Sequence, residues 1–107
     1  MPVFAARFRY DASTWSSLVD SPSNRTPAVA RSLADAGAEL QDLWFAADDL
    51  SGLAVFEAPD AETATTAMQL IESSGAFSEV RTVRLFSGAE LPELLVGARQ
   101  ARPGDTP

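Results

Sequence analysis

The 107-residue chain has no histidine, no cysteine and no lysine, and its eight basic residues are all arginine. Each absence removes a chemistry. Without histidine there is no side chain that ordinarily titrates near neutral pH, no Ser-His-Asp triad and none of the usual zinc or copper sites. Without cysteine there are no disulfides, no thiolate nucleophiles and no cysteine metal sites, and without lysine no Schiff base can form. A hard cation held by carboxylates is the one metal class that the composition leaves. No third ligand lies near the adjacent pair Asp48 and Asp49, so no metal site is expected.

Basic charge is scarce as well. Fifteen acidic residues against eight basic ones give a net charge of −7, a repulsive field for nucleic acid and for anionic membrane surfaces. No apolar run approaches the roughly 18 residues of a spanning helix, and Arg7 and Arg9 interrupt the amino-terminal segment where a signal peptide needs its apolar region. The expectation is a soluble, cytoplasmic protein. At 107 residues and 46% hydrophobic composition the chain suits one domain with one core. That domain is expected over residues 1–98, with a flexible polar tail over residues 99–107.

The pattern that remains is mixed α and β. Val3 to Tyr10 alternates with period two, placing Phe4, Ala6, Phe8 and Tyr10 on one face and Val3, Ala5, Arg7 and Arg9 on the other. Asp11 offers an N-cap for a short turn that packs Trp15 back onto the strand, and a longer helix is predicted from Asn24 to Ala36 with Gly37 as its terminator. A hairpin follows: Leu40 to Ala46, an acidic turn, then Leu53 to Glu57. In its first strand Leu40, Asp42, Trp44 and Ala46 are expected on one face, and Gln41, Leu43 and Phe45 on the other. Asp60 caps a second helix ending at Gly75, Val80 to Phe86 forms a fourth strand, and Ser87 with Glu90 forms a capping box for a last helix.

This order is β-α-β-β-α-β plus a terminal helix, an α+β ferredoxin-like arrangement with two long helices on one sheet face. The other face, with Leu53, Val55, Val80 and Trp44 expected on it, is too apolar for water. A homodimer closing through that face is the structural expectation. Arg7, Arg9, Arg84, Asp42 and Glu57 are expected to share it as an interfacial ion-pair network, or else as an anion-binding cluster.

Several short segments, in this order and spacing, make the chain resemble the GYD-domain proteins of the dimeric α/β-barrel superfamily. They are Ser21-Pro22 before the long helix, Ala36-Gly37 closing it, Val55 to Asp60 leading into the second helix, and Val80-Arg81-Thr82 opening the last strand. Where the family carries its Gly-x-Tyr-Asp turn, this chain has Asp48-Asp49-Leu50-Ser51, so no role of that Tyr or Asp carries over. The resemblance implies a dimeric α/β barrel. The wider superfamily includes cofactor-free monooxygenases, isomerases, cyclases and dehydratases acting on small, often aromatic molecules, alongside regulatory and uncharacterised members.

Two functions of different class follow. One is a cofactor-free cyclase, isomerase or monooxygenase-like enzyme acting on a small apolar or aromatic metabolite. The alternative to this preferred reading is a non-catalytic homodimer that binds a small molecule or stabilises a partner. Phe8, Trp15, Trp44, Phe45 and Phe56 are candidate ligand-binding residues, against the plainer alternative of core packing. Tyr10 and Asp11 are the candidate catalytic pair, the phenol donating a proton or hydrogen bond and the carboxylate accepting one, against Asp11 as a simple N-cap. Arg81 is the candidate partner for a ligand carboxylate.

Overall fold

The computed structural model describes residues 1–101. Four strands, β1 (Val3–Tyr10), β2 (Glu39–Phe45), β3 (Gly52–Glu57) and β4 (Phe77–Leu85), form one antiparallel sheet in the order β2-β3-β1-β4. Helices α1 (Ala12–Asp20) and α2 (Thr26–Asp35) make the first crossover, α3 (Ala61–Ser73) makes the second, and α4 (Leu91–Ala101) follows β4. This is the expected ferredoxin-like α+β fold with a terminal helix. Of the stretch expected as a tail, Arg99 to Ala101 belong to α4, and residues 102–107 lie outside the described residues.

Local chemistry explains where the helices begin and end. The Asp11 carboxylate accepts a 2.8 Å bond from the Thr14 amide, and the Asp60 carboxylate a 2.7 Å bond from the Thr63 amide, each satisfying a first-turn donor. Ser87 and Glu90 bond reciprocally at 2.9 and 3.2 Å, as a capping box does. Gly37 leaves α2 with φ +88°, a left-handed conformation that costs glycine nothing.

The core lies between the sheet and α2 and α3. Phe4, Ala6 and Phe8 of β1, Ala54 and Phe56 of β3, Leu33 of α2, and Ala64, Ala67 and Met68 of α3 are all buried, and the Phe4 and Phe56 rings stack at 5.6 Å. Phe8 faces Gly52 across β1 and β3, and a Cβ on Gly52 would collide with the Phe8 ring. The ring then meets Tyr10, Phe45 and Phe77 edge-on at 5.4–5.9 Å.

Two expected strand parities are corrected. A bulge between Leu40 and Asp42 inserts Gln41, so Leu40, Leu43 and Phe45 all turn to the helix side while Asp42 and Trp44 face the other way. The register of β4 sets Val80 opposite Phe8 and Arg84 opposite Phe4 on the helix side, and Arg81 opposite Arg7 on the open side. Val80 therefore packs against the core, and the arginines of the open face are Arg7, Arg9 and Arg81. Arg84 instead places its guanidinium over the Phe4 and Phe86 rings, 5.8 and 4.5 Å from their centroids.

The open face carries Trp44, Leu53 and Val83, which are 65%, 36% and 56% exposed, among Arg7, Arg9, Arg81, Asp42, Glu57 and Glu79. Helix α4 stands away from the body with Leu91, Leu94, Leu95 and Val96 exposed. The radius of gyration is accordingly 16.8 Å, against about 13 Å for a compact chain of this length.

Gly52→Ala should destabilise the fold by about 1–3 kcal/mol, because the added methyl must displace Phe8. Chemical denaturation of Gly52→Ala, Phe8→Leu and the double variant tests this: the double should lose less than the sum of the singles, and strict additivity would refute the contact.

Hydrogen bonds from the Thr63 amide, the Thr14 amide and the Ser87 amide hold Asp60, Asp11 and Glu90 below the ordinary carboxylate range. Their contribution is present above the unfolded values near about pH 4 and is lost as pH falls through the lower folded values. The thermal midpoint should hold down to about pH 5 and fall below about pH 4. In Asp60→Asn, whose amide oxygen caps without titrating, that acid decline should be shallower; an unchanged acid limb would count against the cap.

Candidate functional site

A cleft of about 310 Å³ opens between α2 and α3 over the two central strands. Its origin is a pair of small residues. Ala6 of β1 and Ala54 of β3 face each other across the ladder, on the helix side of the sheet, and both line the cleft. A larger aliphatic residue at either position would fill space that the two methyl groups leave empty. Phe8, Tyr10, Phe77, Val80, Met68 and Ile71 add apolar wall, Val29 and Leu33 of α2 close one side, and polar groups gather at the rim. The volume lies at the lower end of the roughly 300–1,000 Å³ of small-molecule sites, with room for one or two rings.

Tyr10 is the polar handle of this wall. It sits half-buried at the end of β1, its ring stacked on Phe77 at 5.1 Å and parallel to Phe45 at 6.5 Å. Arg25, which precedes the first turn of α2, donates from Nε to the Tyr10 Oη at 3.5 Å. The phenol oxygen thus accepts from the guanidinium, and its own O–H remains available to donate.

The other candidate residues are dispersed. Asp11 is committed to Thr14, whose backbone amide and side chain draw its carboxyl below the ordinary range, and it does not line the cleft. Phe8 forms cleft wall. Phe56 is fully buried against Phe4, and Phe45 supports Tyr10 and Phe8 from the β2 side without lining the cleft. Trp15 lies on α1, 38% exposed, and Trp44 and Arg81 belong to the opposite, open face.

Asp48 and Asp49 serve the hairpin turn. Asp48 accepts from the Asp49 amide, and Asp49 accepts from the Ser51 amide at 2.9 Å and the Ser51 hydroxyl at 2.7 Å, holding Leu50 at φ +57°. Those Ser51 bonds, backbone first, and the charge of Arg9, 2.5 Å from Asp49, keep the Asp49 carboxyl below its ordinary range. Among the described residues, no three carboxylates converge as a metal site would require.

Sequence reasoning missed Arg25, Ala6 and Ala54. Arg25 carried no motif, only a position before Thr26-Pro27. The alanines did carry a signal: alanine is a poor strand former, and two of them on core-facing strand positions mark a place where the sheet does not fill its own core.

Known proteins locate the fold. A homoserine dehydrogenase from Thiobacillus denitrificans superposes with a TM-score of 0.54 at 14% identity, over 80% of this chain and 18% of that one, so the chain spans less than a fifth of the dehydrogenase. An uncharacterized NIPSNAP domain protein from Burkholderia xenovorans superposes with a TM-score of 0.53 at 12% identity, over 83% of this chain and 96% of that one. No curated protein matches the sequence. No helix among the described residues is long and apolar enough to cross a membrane. The GYD domain model matches residues 4–95, most of the chain, and the protein accordingly belongs to the GYD domain family.

Proposed function

We propose that the protein is a homodimer that binds a small apolar or aromatic molecule in the cleft between the sheet and helices α2 and α3. The carrying observation is the alanine-floored cleft, which combines aromatic and aliphatic wall with the Tyr10 hydroxyl and the Arg25 guanidinium at one end. Apolar wall supplies most of the affinity for a planar ligand, and the few polar groups orient it. The dimer is supported by the open sheet face, where Trp44, Leu53 and Val83 are exposed together. That face also carries both signs of charge, Arg7 and Arg81 against Asp42 and Glu57, which a two-fold pairing can match.

Native mass spectrometry with the neutral probe naphthalene-2-carboxamide tests both parts. The expected species is a dimer carrying up to one probe per protomer. Ala28→Trp, an exposed substitution at the cleft mouth, should lose the probe and keep the dimer; Leu53→Glu should give monomer. A wild-type monomer would overturn the assembly, and probe bound equally by Ala28→Trp would overturn the cleft.

Catalysis without a cofactor is the second reading, favoured by the orientation of Tyr10. Its oxygen accepts from Arg25, so its proton is free to pass to a carbonyl or leaving group of a bound molecule. If so, Tyr10→Phe abolishes turnover of any substrate found, a loss far beyond the roughly tenfold or smaller weakening of probe binding that one missing hydrogen bond brings. Undiminished turnover would remove Tyr10 from the chemistry.

A further inference from the structure

The polar groups of the cleft are arranged with a direction. Helix α2 forms one wall, with Arg25 just before its first residue and Asp35 as its last, and both residues line the cleft. The end that holds Arg25 is also the positive end of the α2 dipole, and the first turn of α2 contains no acidic residue to offset it. The other end combines the Asp35 carboxylate with the negative end of the same dipole. An anionic group is therefore favoured beside Arg25 and disfavoured beside Asp35.

Arg25 itself is under-used. It is half-buried, and among the described residues its guanidinium makes one hydrogen bond, the 3.5 Å contact to Tyr10, and no ion pair. That bond is at the long limit of hydrogen-bond geometry and engages Nε alone, which leaves the terminal N–H groups unassigned. Of the other arginines, Arg9 pairs with Asp49 and Glu79, Arg84 lies over two rings, and Arg7, Arg31 and Arg81 are exposed, whereas Arg25 is half-buried at the cleft. A planar fork of donors beside a phenol, at the mouth of an apolar slot, matches a carboxylate attached to a ring.

Building on the cleft reading above, we infer that the ligand is an aromatic or short aliphatic carboxylic acid, bound as its anion. Its carboxylate pairs with Arg25 and accepts a hydrogen bond from the Tyr10 hydroxyl. Its apolar body lies over Ala6 and Ala54, between Phe8 and Phe77 on the sheet and Ile71 and Val29 on the helices. The size of the cleft limits that body to one or two rings. Tyr10 then has two roles in one position, stacking and donation, and Arg25 sets the preference for acid over neutral analogue.

Calorimetric titration of the full chain with naphthalene-2-carboxylate and with naphthalene-2-carboxamide, two probes of nearly equal shape, tests this. The carboxylate should bind at least about tenfold tighter, as one charge-assisted hydrogen-bonded pair implies, and added salt should weaken the carboxylate alone. Arg25→Gln should bring the two probes within about twofold by weakening the carboxylate only, and Arg31→Gln, an exposed control on the same helix, should preserve the preference. Carboxamide binding by Arg25→Gln also reports that the variant is folded. Equal affinities in the wild type, or a preference that survives Arg25→Gln, would overturn the anchor while leaving the cleft in place. Binding of neither probe would overturn the cleft and the anchor with it.

Discussion

Phe8 lying over Gly52 is the contact on which the rest of the structure depends. Side chains alternate along a strand, so a slip of one residue would exchange the two faces of β1 completely. A ring seated where the facing residue has no side chain allows only one register between β1 and β3. From that register follow the burial of Phe4 and Phe56, the pairing of Ala6 with Ala54, and the exposure of Arg7 beside Leu53. The same ring contacts Tyr10, Phe45 and Phe77, so it also holds the aromatic end of the cleft in place.

The sequence was readable where structure is decided locally. Asp60, the Ser87–Glu90 box and Gly37 each act within four residues of themselves, and each does in the structure what its position predicts. It was less readable where two strands must agree. Nothing in Leu40-Gln41-Asp42 marks Gln41 as the inserted residue, because a bulge satisfies its partner strand and not its own periodicity. The face of Arg84 likewise depends on the register that β1 imposes on β4. Trp15 and Trp44 are the largest aromatic residues of the chain, yet both are substantially exposed, while the cleft arises from two of the smallest side chains in the core.

Most carboxylates divide between scaffold and surface, and Asp35 alone of them lines the cleft, at the end of α2 away from Arg25. Asp11, Asp60 and Glu90 close helix ends, and Asp49 pins the hairpin turn, where its amide and hydroxyl partners hold it ionised. A carboxylate stabilised in this way is a weak base, and proton abstraction by it would have to break the bonds that order the backbone. The polar chemistry at the mouth of the cleft comes instead from Tyr10 and Arg25, a donor and a fixed cation. Such a pair binds and orients an anion readily. As catalysts they can deliver a proton or stabilise developing negative charge, and neither suits a reaction that begins by removing a proton near neutral pH.

Strand β1 joins the two proposed functions of the molecule while keeping them apart. Its residues 6, 8 and 10 look into the cleft, and residues 5, 7 and 9 look out of the open face. The backbone is common to both, yet the side chains belong to different environments. Sequence change on the outward positions can therefore alter assembly without touching the cleft, provided that the Phe8–Gly52 register survives. The reverse holds for Ala6, whose enlargement would consume cleft volume while leaving the outward row of Ala5, Val55 and Val83 as it is. Coupling between ligand and partner must then pass through the twist or spacing of the sheet itself.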